Sequence, residues 1–314
     1  IAFDTTSSRS NRALIDHVAD FLARHGVKAE ILPSPEQGKA NLLATIGPPD
    51  APGIIVSGHT DVVPANPDHW TSPPFAPEVR DDRLYGRGSA DMKTFIAVAL
   101  SVLTEIDPAR LRSRVLLALS FDEEVGCKGA PLMMPRVREL QAGIRGCIIG
   151  EPTSMQVAVG HKGKVGLRVD VHGREAHSAY PQQGVNAIDV AAELVARVRH
   201  MATDARVEGP FDARFSPRYT TLHTGLISGG TALNTVPAQC SFEFEVRPLP
   251  GTDAKQYVED LKRHFEQDLP SDLPGPADGA GMEVTCTSSY PGLVEEDEAL
   301  VEWVGRLAAA EEPA

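Results

Sequence analysis

The stretch SGHTDVVP, Ser57 to Pro64, constrains this chain more than any other. It follows the apolar run Ile54-Ile55-Val56 and carries His59 and Asp61 two residues apart. The pattern recurs downstream. An apolar run or a glycine turn delivers an acidic residue in GRGSADMK (Asp91), in LALSFDEEVG (Asp122, Glu123 and Glu124) and in CIIGEPT (Glu151). Short, continuously apolar strands of this kind suit a sheet covered on both faces. In open α/β sheets a ligand site gathers at the carboxyl ends of the strands. The four segments therefore read as one site that binds metal and uses it for hydrolysis.

The remaining pattern agrees with an α/β sheet. Residues 13–26 place Leu14, Val18, Phe21 and Leu22 on one helical face, with Gly26 as a C-terminal stop. Strands are expected at 41–46, 53–56, 114–121 and 146–149, and a buried helix at 92–106. Alternating strands and helices imply a mixed, largely parallel sheet. His59, Glu123 and Glu151 each fall just past an expected strand end.

Beyond Gly160 the style changes. Residues 164–171 alternate as a half-buried strand, 186–200 form an amphipathic helix and 220–227 a strand. Residues 239–247 alternate strictly, with Cys240, Phe242, Phe244 and Val246 on one side, and 254–269 read as a helix. This order predicts a small α+β domain of the ferredoxin-like kind inserted at 162–274. Residues 1–161 and 275–314 then form the metal-binding domain, with a strand from Met282 and a helix over 295–310.

The totals narrow the function. A net charge of −13 over 314 residues argues against nucleic acid and anionic membranes as partners. No apolar run approaches the ~20 residues that span a bilayer. The four cysteines, Cys127, Cys147, Cys240 and Cys286, are far apart and lack a CxxC, which argues against a thiolate zinc site and fits buried thiols in a reducing cytoplasm.

A hydrolytic metal site needs imidazole or carboxylate ligands, an open position and a base that is not a ligand. His59, Asp91, Glu124 and Glu151 supply the ligands; the mixture suits zinc, cobalt or manganese. Asp61 is placed to orient the imidazole through its other nitrogen. Glu123 and Glu124 are adjacent, so their side chains diverge and one can ligate while Glu123 acts as general base. Each residue alone has a plainer reading. His59 and Asp61 suit a surface pair, Asp91 a helix cap, the glutamates a solvated face and Glu151 a turn. Their shared position at strand ends favours the joint reading.

The segments SGHTDVVP, GRGSADMK, SFDEEVG and GEPT resemble, in order and spacing, the signatures of the M20 family of dinuclear zinc peptidases and amidohydrolases. GREAHSA at 173–179, SGGTALNTVP at 228–237 and FEFEVRPLP at 242–250 resemble that family's lid and dimerisation domain. Within the family, the opening AFDTTSSRSN, DEEVGC and GHKGK look most like the branch that deacetylates N2-acetyl-L-ornithine. The resemblance implies two Zn2+ ions per subunit, replaceable by Co2+. His59 and Glu151 would hold one ion, Asp91 would bridge, Glu124 would hold the second, and Glu123 would be the base with Asp61 behind His59. It also implies a homodimer through the lid, His177 reaching the neighbouring subunit's site, and Asn234 and Arg247 on a small N-acyl amino acid. Arg247 equally suits an ion pair with Glu243 or Glu245. Desuccinylases and dipeptidases share the metal motifs. Members of the family carry a further histidine ligand near the C-terminus; the last histidine here is His264, inside the insertion. The second site is thus expected to lack a ligand, and the catalytic domain to lack its last segments. A non-catalytic, metal-binding or dimerising homologue is the alternative, and the non-ligand Glu123 speaks against it.

Overall fold

The apolar runs that precede the acidic residues pair into one sheet. In the computed structural model, which describes residues 1–36, 38–102 and 105–309, its strands are β1 (Ala29–Pro33), β2 (Ala40–Ile46), β3 (Gly53–His59), β4 (Arg114–Ser120) and β5 (Ile144–Ile149). Their order is β1-β2-β4-β3-β5. β3 runs parallel to both β4 and β5, while β2 is antiparallel to β1 and to β4. The sheet is mixed, as expected, but parallel only in its β4-β3-β5 half. β1 is not among the expected strands, because Glu30 and Pro33 dilute its apolar character; pairing with β2 makes it a strand.

Side-chain alternation explains why helices cover both faces. From β2 and β4, Leu42, Ala44, Leu117 and Leu119 pack with Leu14, Ile15, Val18 and Leu22 of α1 (Arg12–Arg24) and with Ile96 and Leu100 of α2 (Lys93–Val102). The opposite alternation, Leu43, Leu116 and Ala118, packs on Met133 and Val137 of α3 (Gly129–Leu140). Each such fully buried leucine contributes roughly 1.5–3 kcal/mol. α3 is not anticipated, since Pro131 and Pro135 break its pattern as sequence. The end of the expected 92–106 helix includes Leu103 and Thr104, which lie outside the described residues.

Parallel register sets the position of the site. His59 pairs with Ser120 and Ser57 with Ile149, so the carboxyl ends of β3, β4 and β5 line up. The β4–α3 loop is closed by backbone bonds from Lys128 to Asp122 and from Gly129 to Phe121, both 3.0 Å. Gly129 fits there because a Cβ would lie 2.4 Å from the Phe121 carbonyl oxygen and 2.8 Å from Asn41 Oδ1. Gly129→Ala is therefore expected to destabilise by about 1–3 kcal/mol through overpacking. The check is a lower urea midpoint with unchanged slope; an unchanged midpoint would contradict it.

The chain divides into two compact units. The sheet above lies in Ile1–Val157, together with the segment from Asp297; Ala158–Glu296 form the other unit. In the second unit β6 (Lys164–His172), α4 (Ala187–Glu208), β7 (Thr221–Gly229), β8 (Gln239–Arg247), α5 (Lys255–Gln267) and β9 (Gly281–Tyr290) follow a split βαβ pattern. The strand order is β7-β8-β6-β9, antiparallel throughout. Cys240, Phe242, Phe244 and Val246 all face the core with Leu167, Val169 and Val171, covered by α4 and α5.

Two expectations need correction here. The helix expected to stop at His200 runs to Glu208, because Met201 and Ala205 continue the buried stripe of Leu194 and Val198; Gly209, at φ 82°, ends it. The strand from Gly281 does not return to the first unit, and the expected boundary at 275 moves with it. β6 has a second edge, and β9 satisfies that edge's backbone groups over its length. Among the described elements after β9, α6 (Glu298–Ala309) belongs to the first unit. Ala310, the expected end of that helix, lies outside the described residues.

Candidate metal centre

The imidazole of His59 is buried at the end of β3. Its Nδ1 lies 2.9 Å from the Asp61 carbonyl oxygen and 3.4 Å from Asp61 Oδ1. A proton on Nδ1 is thus held by Asp61, mainly through its main chain, and Nε2 is turned the other way. There Nε2 meets Asp91 Oδ1 at 2.9 Å and Glu151 Oε1 at 3.7 Å. One donor atom from each of His59, Asp91 and Glu151 lies within 4.8 Å of the others. Asp91 comes from the turn before α2, and Glu151 from the turn after β5. Both carboxylates are about half exposed, so the cluster opens to solvent on one side.

The Asp61 carboxylate has a further task. It accepts hydrogen bonds from Ser7 Oγ (2.7 Å), Glu123 N (3.0 Å) and Glu124 N (3.3 Å). It therefore ties the end of β3 to the backbone of both glutamates. The Cys127 thiol donates to Glu123 Oε1 over 3.6 Å. Glu124 is not within the His59–Asp91–Glu151 group, yet it is near enough to feel the charges of Asp91 and His59. On the far side, Met92 is fully buried, and its sulfur accepts from His59 N at 3.3 Å.

Burial and crowded carboxylates shift the titrations of His59, Glu151 and Glu124. Burial alone would lower His59, but the hydrogen bond and charge of Asp61, with Glu151 and Glu123, raise it to about 9. Burial, joined by the charges of Asp91, Glu123 and Glu124, lifts Glu151 to about 7 although His59 opposes it. Burial and the Asp91 charge likewise raise Glu124. Asp61 moves the other way: its burial is outweighed by bonds from His59, Ser7 and the Glu123 backbone, which lower it. Cys127 is raised to about 11 by burial and the Glu123 charge, which keeps it a thiol. The donor set fits a divalent cation: one imidazole nitrogen with its tautomer fixed, two carboxylate oxygens and an excess of negative charge that protons now relieve.

The other expected site residues lie in the second unit. A two-residue ladder pairs Ala176 with Val236 and His177 with Thr235, and Ser178 N donates to the Asn234 carbonyl at 3.0 Å. His177 and Asn234 thus share one exposed corner, where the His177 Nδ1 accepts from Ala179 N at 3.0 Å. Asn234 precedes the start of β8, whereas Arg247 closes it, so the length of that strand separates them. Arg247 spends its fork on Glu245 (3.0 and 3.2 Å) and donates to Tyr290 Oη (3.1 Å). Ser7, Lys39 and Met92 are site neighbours that sequence reasoning misses. Lys39 carries the one usable signal, a cation directly before the largely apolar strand β2.

Comparison with known proteins adds to this geometry. Residues 159–273 match the family model of a peptidase dimerisation domain. The chain is 37% identical over 253 residues to an acetylornithine deacetylase of Proteus mirabilis, covering 80% of this chain and 64% of that one. It is 36% identical over 255 residues to the acetylornithine deacetylase of Yersinia pestis, with the same coverage. The chain thus spans 64% of the length of these curated relatives. Among solved structures, a tripeptidase from Staphylococcus aureus superposes with a TM-score of 0.74 at 23% identity, over 98% of this chain and 78% of that one. An M20 family metallo-carboxypeptidase from Sulfolobus solfataricus gives 0.67 at 16% identity, over 96% and 82%. These two likenesses establish the fold. No described helix is long and apolar enough to cross a membrane.

Proposed function

We propose that the chain is a member of the M20 family and a metal-dependent amide hydrolase that removes the acetyl group from N2-acetyl-L-ornithine, giving L-ornithine and acetate. The observation that carries this reading is the His59–Asp91–Glu151 cluster, with Glu123 anchored by its backbone to the same Asp61 that orients His59. The kinship with acetylornithine deacetylases supports the choice of substrate. The reaction would serve arginine biosynthesis in the cytoplasm.

His59, Asp91 and Glu151 would hold a divalent ion, and Glu124, with Asp91 between, a second; zinc, replaceable by cobalt, suits this donor set. When bound, such an ion supplies Lewis acidity toward the amide carbonyl and toward water. The remaining work falls to side chains. Glu123 takes a proton from the attacking water onto a carboxylate oxygen and delivers it to the departing α-amine. Asp61 keeps the proton of His59 on Nδ1 and keeps the Glu123 backbone in place. His177 donates to the developing oxyanion of a partner subunit's substrate, and Asn234 lies beside it. Arg247 offers a planar fork to the substrate carboxylate, for which it must exchange Glu245. The separation of the His177–Asn234 corner from Arg247 along β8 supports a site shared between two copies, with residues 158–296 as lid and dimerisation domain.

The test is acetate release from N-acetylornithine after chelation and reloading with zinc or cobalt, beside N-succinyl and dipeptide substrates. Turnover should vanish with the chelator and return with the ion, with N-acetylornithine the best substrate by kcat/KM. Preference for a dipeptide would overturn the substrate while keeping the hydrolase. No hydrolysis of any amide by the metal-loaded protein would favour the non-catalytic reading.

A further inference from the structure

We propose that Lys39 is a positioning residue for the glutamate pair, acting through a buried ring of hydrogen bonds that fixes where Glu123 and Glu124 point. The inference rests on the reading of Glu123 as base and Glu124 as ligand. Lys39 directly precedes β2 and its ammonium is buried. A cation there must be fully partnered. Nζ donates to Asp122 Oδ1 and to the Ser7 carbonyl, each at 2.6 Å. The Ser7 hydroxyl donates to Asp61 Oδ2, and Asp61 in turn accepts from Glu123 N. Asp122 is bonded covalently to Glu123, so the path closes on itself: Lys39, Ser7, Asp61, Glu123, Asp122, Lys39. Lys39, Ser7, Asp61 and Asp122 are buried, and Glu123, half-buried, joins the ring through its backbone.

Two features tie the ring to the site and not to stability alone. First, Asp122 sits at φ 53°, a left-handed conformation that a non-glycine residue keeps only when its surroundings enforce it. That residue is the pivot from which β4 turns out to present Glu123 and Glu124. Second, a buried ion pair is a poor device for stability, because desolvation cancels most of the attraction and apolar replacements do as well or better. What it offers is geometry. The Lys39–Asp122 bond fixes the side chain of the pivot, and the Lys39–Ser7 bond fixes the residue whose hydroxyl orients Asp61. None of these groups reaches the His59–Asp91–Glu151 cluster directly except Asp61.

The experiment compares Ser7→Ala, the double variant Lys39→Met/Asp122→Asn and Glu123→Gln in the metal-loaded protein. The double variant removes both charges together, and asparagine tolerates the left-handed backbone. A shift of about 1 Å in a catalytic group can cost on the order of 10²-fold in rate. We therefore expect kcat of the double variant to fall by about tenfold or more. KM should stay within about twofold, and the tightest-bound ion should titrate as in the unsubstituted protein by calorimetry, since its ligands are untouched. Ser7→Ala, which deletes one hydroxyl, should lower kcat by about threefold to tenfold with the same KM. A purely structural role would instead lower the urea midpoint and leave kcat per folded molecule alone. If the double variant does not fold, Ser7→Ala decides by the same split. Unsubstituted kcat in a folded double variant, or in Ser7→Ala if only that folds, overturns the proposal while an inactive Glu123→Gln keeps the hydrolase reading. An active Glu123→Gln removes the reading itself, whatever the other two show.

Discussion

Glu123→Gln is expected to keep the bound ion and to lose about 10²–10⁴-fold in kcat, the usual contribution of a positioned general base. Glutamine matches glutamate in size and can still accept from the Cys127 thiol, which donates to Glu123 Oε1 in the present structure. What it loses is the capacity to hold a proton between attack and departure of the amine. The loop itself should not move. Its hold on Asp61 runs through the Glu123 and Glu124 backbone amides, which the substitution leaves intact. Nor should the ion leave, because Glu123 is not one of the three groups whose donor atoms converge. Steady-state kinetics with metal analysis on the same sample decides the matter. Turnover near the unsubstituted rate would remove Glu123 as base; loss of the ion would make it a ligand.

The parts of this site that are legible in sequence share one property: they are punctuated locally. His59, Asp91, Glu123 and Glu151 each end an apolar run or follow a glycine turn, so strand-end chemistry can be read along the chain. The strict alternation of 239–247 is legible for the same reason and survives intact as β8. What is not legible depends on partners distant in sequence. Lys39 and Asp122 are 83 residues apart, and their bond follows from the pairing of β2 with β4. β9 carries no local mark of its unit; the open edge of β6 decides it. Arg247 shows the intermediate case. Its neighbour two positions back, Glu245, is visible in sequence as a competing partner, and only the side-chain geometry reveals that Glu245 takes the guanidinium fork.

His59→Ala should cost the ion more than any other single substitution. Removing even an outer partner of a metal ligand weakens affinity by about 10–100-fold, so loss of the sole imidazole in the cluster should exceed about 100-fold. The titrations supply a second, independent reading of the same event. In the metal-free protein His59 is raised from 6.5 to about 9 and Glu151 from 4.5 to about 7. At pH 7 the imidazole therefore carries its extra proton and Glu151 is about half protonated. An ion must displace both, so binding at pH 7 should release about one to two protons, and affinity should rise from pH 6 toward pH 9. The sign for stability is the reverse. Both groups are raised, so both favour the protonated, metal-free fold; that contribution is complete at low pH and fades as pH rises through about 7 and then about 9. The metal-free protein should thus lose stability toward alkaline pH, and the bound ion should reverse the trend, because it takes over the neutralisation that protons provided. In His59→Ala the imidazole share of the release disappears and only that of Glu151 remains. Calorimetric titration with zinc in two buffers of different ionisation enthalpy measures this directly. Equal proton release by the two proteins would show that His59 gives up no proton to the ion at pH 7, and unchanged zinc affinity in His59→Ala would take it out of the ligand set.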